Sequence, residues 1–329
     1  MTGPHPATAA TRLAVRRELA RLEQVEPGGI VLVACSGGAD SLALAAAVAF
    51  EVPRTVLSAG AVIVDHGLQE GSSAVASRAA EQCRVLGLGP VEVVTVLVAV
   101  SGSGPEAGAR DARYRAFEDV AERVGAVAVL LGHTRDDQAE QVLLGLARGS
   151  GARSLSGMPA RRGRYLRPFL GVARRTTVAA CEAAGLTAWE DPQNSDPSYG
   201  RVRARALLPR LEAELGLGTV AALARSADLL REDADALDDL AVAARAELGP
   251  EPVDATGLTR LPRAIRTRVW RLLAIEAGCP PGALIASHVD SLDTLVTRWR
   301  GQGPIDLPGG VQGSRSGGRV LVAPTHRVE

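Results

Sequence analysis

Four short apolar runs, each too short for a helix and too continuous for a half-exposed strand, recur through the first half of this 329-residue sequence. Ile30–Cys35, Ala59–Val64, Val91–Val98 and Ala126–Leu131 are rich in Val, Ile, Leu and Ala, as expected of strands covered on both faces. Helix-spaced stretches separate or follow them, at Ser41–Phe50, Ser72–Leu86, Glu106–Val124 and Gln138–Ala147. Strand and helix in regular rotation predict an α/β fold with a parallel, doubly wound sheet and helices on both faces. With 46% apolar residues but only 3% aromatics, the core has to be filled by Ala, Val and Leu. Ligands of such sheets gather at the carboxyl ends of the strands, so the residues just after each apolar run are where chemistry is expected.

Beyond Gly149 the rotation loosens. A strand-like Tyr165–Phe169, a helix near Arg174–Ala184 and a turn-rich segment with Asp191-Pro192 and Asp196-Pro197 lead into an arginine-rich helix. Gly216 and Gly218 then punctuate the chain before a long amphipathic run, Val220–Leu248. The remainder has its own helical patterns and a Gly-rich, β-like end at Ile305–Val322. The expected division is therefore a catalytic domain over residues 1–216, and a linker helix with a smaller, mainly helical substrate-binding domain over 217–329.

Bulk charge excludes little, because 37 basic and 37 acidic residues balance. There is no lysine in the sequence, so every basic residue is arginine. A Walker-type phosphate-binding lysine and a Schiff-base lysine are thereby excluded. Cys35, Cys83, Cys181 and Cys279 are isolated in sequence, which suggests neither a zinc knuckle nor a disulfide framework. The charged, helix-like Arg12–Gln24 run lacks a signal-peptide core, and no stretch of about 18 uninterrupted apolar residues occurs. No membrane partner and a cytoplasmic location are expected.

The sharpest motif is Ser36-Gly37-Gly38-Ala39-Asp40-Ser41, which directly follows the first apolar run and opens a helix. Two glycines permit a tight turn and close backbone approach, and the N–H groups of a helix start attract anionic oxygens. Ser36 and Ser41 can add hydroxyl donors. A carboxylate in an anion cradle repels phosphate unless a cation lies between them, so Asp40 implies Mg²⁺. A second candidate constellation follows the fourth run, where His133, Asp137 and Glu140 fall within about two helical turns. Asp137 and Glu140 share a face by i,i+3 spacing and could hold an ammonium, orient an amine or bind Mg²⁺; they could equally be a dipole-favoured helix start and a solvated face.

The six-residue loop resembles the SGGxDS signature of the PP-loop ATP pyrophosphatases, which cleave ATP between the α and β phosphates and adenylate a carbonyl oxygen. Further segments resemble the tRNA(Ile)-lysidine synthetase branch of that superfamily. These are Val64-Asp65-His66-Gly67-Leu68, Ala109-Arg110-Asp111-Ala112-Arg113-Tyr114, the run from Gly132 to Glu140, Leu146–Gly151, Leu155–Pro159, Arg167–Leu170 and Trp189–Asn194. The resemblance covers about residues 28–210. It implies ATP and Mg²⁺ as cofactors, with residues 36–41 and His66 at the nucleotide, Asp40 on the metal, Arg113 on the reacting nucleotide, His133 lining the site, and Asp137 and Glu140 handling lysine. The implied substrates are free L-lysine and the isoleucine tRNA with a CAU anticodon, whose wobble cytidine becomes lysidine; a homodimer is left open. One departure is Val202 after Arg201, where the family has asparagine.

Acid-free arginine groups lie at 153–175 and 201–210, and a third runs from Arg260 to Arg271 beside Trp270. Segregated positive charge of this kind is the footprint expected of an RNA backbone, with Trp270 as a stacking platform. A tRNA thiolase of the same superfamily and a catalytically silent RNA-binding module remain as alternative readings.

Overall fold

A computed structural model describes residues 3–67, 71–96, 105–149 and 151–325, with the side chains of 105–107 excepted. The expected strand residues Leu97 and Val98, and Leu68 and Ser150 of the motifs, lie outside the described residues. By internal contacts the chain divides into two compact units, Met1–Leu229 and Leu230–Glu329.

The first unit runs α1 (Pro6–Val25), β1 (Ile30–Ala34), α2 (Ala39–Glu51), β2 (Ser58–Asp65), α3 (Ser72–Val85), β3 (Val91–Thr95), α4 (Pro105–Val124), β4 (Ala126–Leu131), α5 (Arg135–Ala147), a one-turn α6 (Ala152–Leu155), the short β5 (Arg161–Arg162) and β6 (Tyr165–Leu166), α7 (Arg174–Ala183) and α8 (Gly200–Leu215). The sheet order is β3-β2-β1-β4-β6-β5. All neighbours are parallel except the β5/β6 edge pair, which is antiparallel. The expected strand over Tyr165–Phe169 is thus cut to two paired residues, because Pro168 has no N–H to donate to a ladder.

Side-chain alternation along β1 sorts the core into two layers. Val31 and Val33 pack with Leu42, Leu44, Val48 and the Leu19 and Leu22 side chains of α1. Leu32 and Ala34 face the other way, onto Phe117, Val120 and Ala121 of α4. Both faces of β1 are buried, as a continuous apolar strand requires. The chain winds outward from β1 through β2 to β3 and then returns to pair β4 on the other side of β1. That reversal is a topological switch point, and it opens a crevice past the carboxyl ends of β1 and β4. Residues 35–38 and 132–134 occupy those two ends.

In the second unit, α10 (Ala255–Arg260), α11 (Arg263–Glu276) and α12 (Ala286–Thr297) accompany a four-stranded antiparallel sheet. Its order is β7-β10-β9-β8, formed by β7 (Val253–Asp254), β8 (Ile305–Leu307), β9 (Val311–Ser316) and β10 (Arg319–Pro324). Helix α9 (Thr219–Glu247) spans the division between the units. Trp270, Leu273, Leu258 and Leu292 centre this second core. Trp270 is 0% exposed, so the stacking role expected for it does not hold.

Candidate active site at the switch point

The phosphate loop is a self-braced turn. Gly37 has φ of 80°, a backbone conformation that a side chain would strain. The buried Ser41 hydroxyl accepts the Ser36 N–H at 3.1 Å and donates to the Gly38 carbonyl at 2.9 Å. Ser41 therefore staples the loop, while the Ser36 hydroxyl is exposed above it. The Trp189 N–H holds the Gly37 carbonyl from outside at 2.9 Å. Ala39 and Asp40 start α2, so their N–H groups have no earlier helical turn to bond. On the β4 side, Gly132 lies against this start: a Cβ there would stand 3.2 Å from the backbone of Asp40 and Ser41. A larger residue here would push the two strand ends apart by a few tenths of an ångström.

The expected acids converge. Asp137 divides its carboxylate: Oδ2 accepts the Thr134 N–H at 2.7 Å and the Thr134 hydroxyl at 2.9 Å, and Oδ1 accepts from Arg174 Nη2 at 2.5 Å. It is at once a helix cap and a site residue. Glu140 is not on a solvated face, being 0% exposed. Its Oε1 accepts from Arg174 Nη1 at 3.1 Å and from Arg205 Nε at 2.7 Å. Asp40 joins the same group, with Arg174 Nε 3.4 Å from Oδ2 and the Thr177 hydroxyl donating to Oδ1. Arg174 of α7 thus touches three carboxylates from two strand ends.

Sequence reasoning counted Arg174 and Arg205 as surface arginines and overlooked Thr177. They lie 34 and 65 residues from Glu140, so no local spacing reveals the pairing. The usable signal was thermodynamic: buried carboxylates require cationic partners, and no lysine exists to supply them.

Titration follows from these contacts. Burial raises the Asp40 carboxyl above its ordinary value, against the pull of Thr177 and Arg174. Burial also acts to raise Asp137, but Arg174 and the Thr134 N–H hold it below the usual carboxylate range. Burial presses against the Arg174 charge, yet Asp137, Glu140 and Asp40 raise its pKa. Three carboxylates thus contact two guanidiniums, and the charge of Arg201 also reaches Asp137.

On the α4 side, the imidazoles are neutral. Burial, then the charge of Arg113, lowers the His66 pKa, and Arg113 Nε donates to His66 Nε2 at 3.2 Å. The accepting Nε2 places the proton on Nδ1. That Nδ1 is buried and has no partner among the described residues. His133 is pushed down to about 4 by burial, and its buried Nδ1 is also unpartnered among the described residues. Two buried ring nitrogens without partners among the described residues are an uncompensated polar cost at this end of the sheet.

The arginine groups split on inspection. Arg164 pairs with Glu118 at 3.3 Å, while Arg161, Arg162, Arg175 and Arg210 are exposed. In the second unit Arg263, Arg266 and Arg268 pair with Asp290, Asp293 and Asp238. Arg271 donates to the carbonyls of Leu284 and Pro281. Arg266, Arg268 and Arg271 are thereby engaged in holding their own unit together, whereas Arg260 is exposed and Arg263 forms only a surface pair.

A parallel sheet with a glycine-rich anion loop at its switch point defines the PP-loop class, and the PP-loop domain family matches residues 11–211. A second family, the TilS substrate binding domain, matches residues 254–321. The chain is 58% identical to the tRNA(Ile)-lysidine synthase of Thermobifida fusca, over 98% of this chain and 99% of that one. It is 54% identical to the tRNA(Ile)-lysidine synthase of Streptomyces coelicolor, over 97% and 99%. Among solved structures, the U34-tRNA thiolase NcsA from Methanococcus maripaludis superposes with a TM-score of 0.57 at 18% identity, over 68% of this chain and 80% of that chain. That likeness concerns the fold alone. The chain belongs to the tRNA(Ile)-lysidine synthase family.

Proposed function

We propose that this protein joins L-lysine to C2 of the wobble cytidine in the CAU anticodon of isoleucine tRNA, converting ATP to AMP and pyrophosphate. The observation that carries the reading is the meeting of the residue 36–41 loop and the His133/Asp137/Glu140 segment at one switch point, in a chain similar to lysidine synthases along nearly its whole length.

The C2 carbonyl of cytosine is a poor electrophile, so its oxygen is adenylated and pyrophosphate leaves. The lysine amine then attacks C2 and expels AMP. The first N–H groups of α2, with the Ser36 hydroxyl, receive phosphate oxygens in the turn shaped by Gly37 and Gly38 and braced by Ser41. His66 and Arg113 bound the nucleotide site, and His133 offers a neutral ring to it. Asp137 and Glu140 offer carboxylates to the lysine ammonium, and either accepts its proton before attack.

Among the described residues no three His, Cys, Asp or Glu side chains gather around a common metal position, so an all-protein cage is not the type expected. Mg²⁺ bound by one carboxylate and substrate phosphates would fit Asp40, which stands beside the anion loop and would trade its contact with Arg174 for the ion. When bound, the ion offsets phosphate charge. Incubating the full chain with ATP, radiolabelled lysine and unmodified isoleucine tRNA tests the proposal. Label in RNA, dependent on both ATP and tRNA, is expected; ATP turnover with ammonia in place of lysine, or no label in RNA, overturns it.

A further inference from the structure

The peptide between Gly37 and Gly38 is the part of the phosphate loop that Ser41 does not hold. Ser41 fixes the peptide before Ser36 through its N–H at 3.1 Å, and the peptide after Gly38 through its carbonyl at 2.9 Å. Between them, two consecutive glycines leave a peptide plane that can turn over at little steric cost. An outside contact decides which way it faces: the Trp189 N–H donates to the carbonyl of the buried Gly37 at 2.9 Å. This peptide is trans, and in a planar trans peptide the C=O and N–H point to opposite sides. With its oxygen held by Trp189, the plane turns the Gly38 N–H away from Trp189, and that N–H has no acceptor among the described residues. Turned over, the same plane would present a carbonyl oxygen where the loop receives phosphate oxygens.

Trp189 is in turn held by a tie that bridges 105 residues of sequence. Gln82 of α3 meets the backbone of Thr187 twice: its Oε1 accepts the Thr187 N–H at 2.9 Å, and its Nε2 donates to the Thr187 carbonyl at 3.2 Å. A side-chain amide that engages both groups of one residue does what a neighbouring strand would do, and it fixes the backbone just ahead of Trp189. Helix α3 also backs the loop itself, since a Cβ on Gly37 would lie 3.4 Å from Ala79 and 3.7 Å from Val75. Apolar packing does not supply the restraint on Trp189. A cleft of about 730 Å³ is lined by Ala79, Gln82 and Val85 of α3 together with Leu186 and Trp189. Hydrogen bonds, being directional, orient a peptide plane across such a gap.

Building on the ATP-consuming reading above, we infer that Trp189, through its backbone N–H, and Gln82, through Thr187, are positioning residues for adenylation: they keep the Gly38 N–H turned to join those of Ala39 and Asp40 in receiving the departing pyrophosphate. The contribution of Trp189 comes from its N–H and not from its indole ring. A peptide already hydrogen-bonded at its oxygen is polarised, so the outer bond strengthens the inner one.

Two variants of Trp189 separate backbone from side chain, because Trp189→Ala keeps the N–H and Trp189→Pro removes it. In ATP–pyrophosphate exchange with tRNA, Trp189→Pro is expected to lose about tenfold more kcat/KM for ATP than Trp189→Ala, the worth of one hydrogen bond. Gln82→Leu, at a half-buried position of α3, should move kcat/KM for ATP the same way by about threefold, with the KM for lysine unmoved. Equal losses in Trp189→Ala and Trp189→Pro overturn the inference, as does a lesion of Gln82→Leu that falls on lysine alone. In the wild-type full chain, magnesium pyrophosphate by itself should slow hydrogen exchange of the Trp189 amide about tenfold. An amide that exchanges as fast with the probe as without it overturns the inference, whether or not the variants fold. That measurement needs neither lysine nor RNA, so it still decides the inference if wild-type enzyme puts no lysine into tRNA, the result that defeats the functional reading.

Discussion

Each unit of this protein buries arginine against carboxylate, and the two clusters are built to opposite ends. In the second unit Asp293 accepts from Arg266 Nε at 2.7 Å, from Arg266 Nη2 at 3.2 Å and from Trp270 Nε1 at 3.0 Å. The remaining guanidinium nitrogen donates to the Leu261 carbonyl at 2.7 Å. One charge meets one charge, and each guanidinium nitrogen has an acceptor. In the first unit three carboxylates share two guanidiniums, and beside them stand His133 with a buried unpartnered nitrogen and Arg167 with another. A closed network holds structure; an open one, in which carboxylates share their counter-ions and polar nitrogens stay unpartnered, can rearrange around a ligand.

The largest expected difference comes from Asp40→Ala. It removes the carboxylate between the phosphate loop and α7, and ATP–pyrophosphate exchange in the presence of tRNA should fall about a thousandfold. A variant that keeps exchange within tenfold of wild type would take Asp40 out of the chemistry and make its ties to Thr177 and Arg174 purely architectural.

The closed cluster answers to stability. Asp293→Ala leaves the Arg266 charge and the Trp270 N–H buried without their acceptor, and should destabilise the second unit by about 3–5 kcal/mol, read as faster hydrogen exchange in α11 and α12. Replacing the pair together, Arg266→Met with Asp293→Leu, should recover the part of that loss due to the stranded Arg266 charge, while the Trp270 N–H, still without its acceptor, keeps the variant about 1–3 kcal/mol below wild type. No such rescue is expected at Arg174 and Glu140: the same double exchange there should leave lysine transfer absent even in a folded protein.

Glu140→Gln separates the steps within the open cluster. Adenylation should stay within about tenfold, while lysine transfer falls about a hundredfold, as for loss of one proton-transfer group. Equal loss of both, measured by exchange and by label incorporation, would mean that Glu140 only positions Arg174 and Arg205.

The contrast also explains what the sequence could disclose. The doubly wound sheet was legible because β1, β2 and β4 are buried on both faces and so lack polar alternation, and the loop was legible because its glycines and Asp40 sit between a strand and a helix. Asp137 and Glu140 could be paired from i,i+3 spacing alone. Their counter-ions could not, since Arg174 and Arg205 come from α7 and α8 and are chosen by the fold rather than by neighbours in the chain. The same blindness made Arg266 and Trp270 look like an RNA surface: a run of arginines reads alike whether its partners are phosphates or the acids of α9 and α12.

The smallest effect concerns the open cluster's pH dependence. His133 has its pKa lowered to about 4, so in the folded state it stays neutral where an unfolded histidine, titrating near 6.5, gains a proton. The unfolded state then binds more protons, and stability falls as pH drops from about 6.5 toward 4. Between pH 7 and pH 5 this amounts to about 1–2 kcal/mol for a half-buried ring. Asp137 acts lower on the scale: its depressed pKa gives stabilisation that is present above about pH 4 and is lost as pH falls through the folded value, so it is silent in this window. His66, also lowered, adds to the same slope, whereas the raised Asp40 opposes it, so the wild-type profile alone is ambiguous. The difference between wild type and His133→Gln isolates the one ring. Hydrogen exchange of the β4 amides at the two pH values should show the variant losing less stability than wild type; parallel losses would mean that His133 titrates as an ordinary solvated histidine and that the site beside it is open to water.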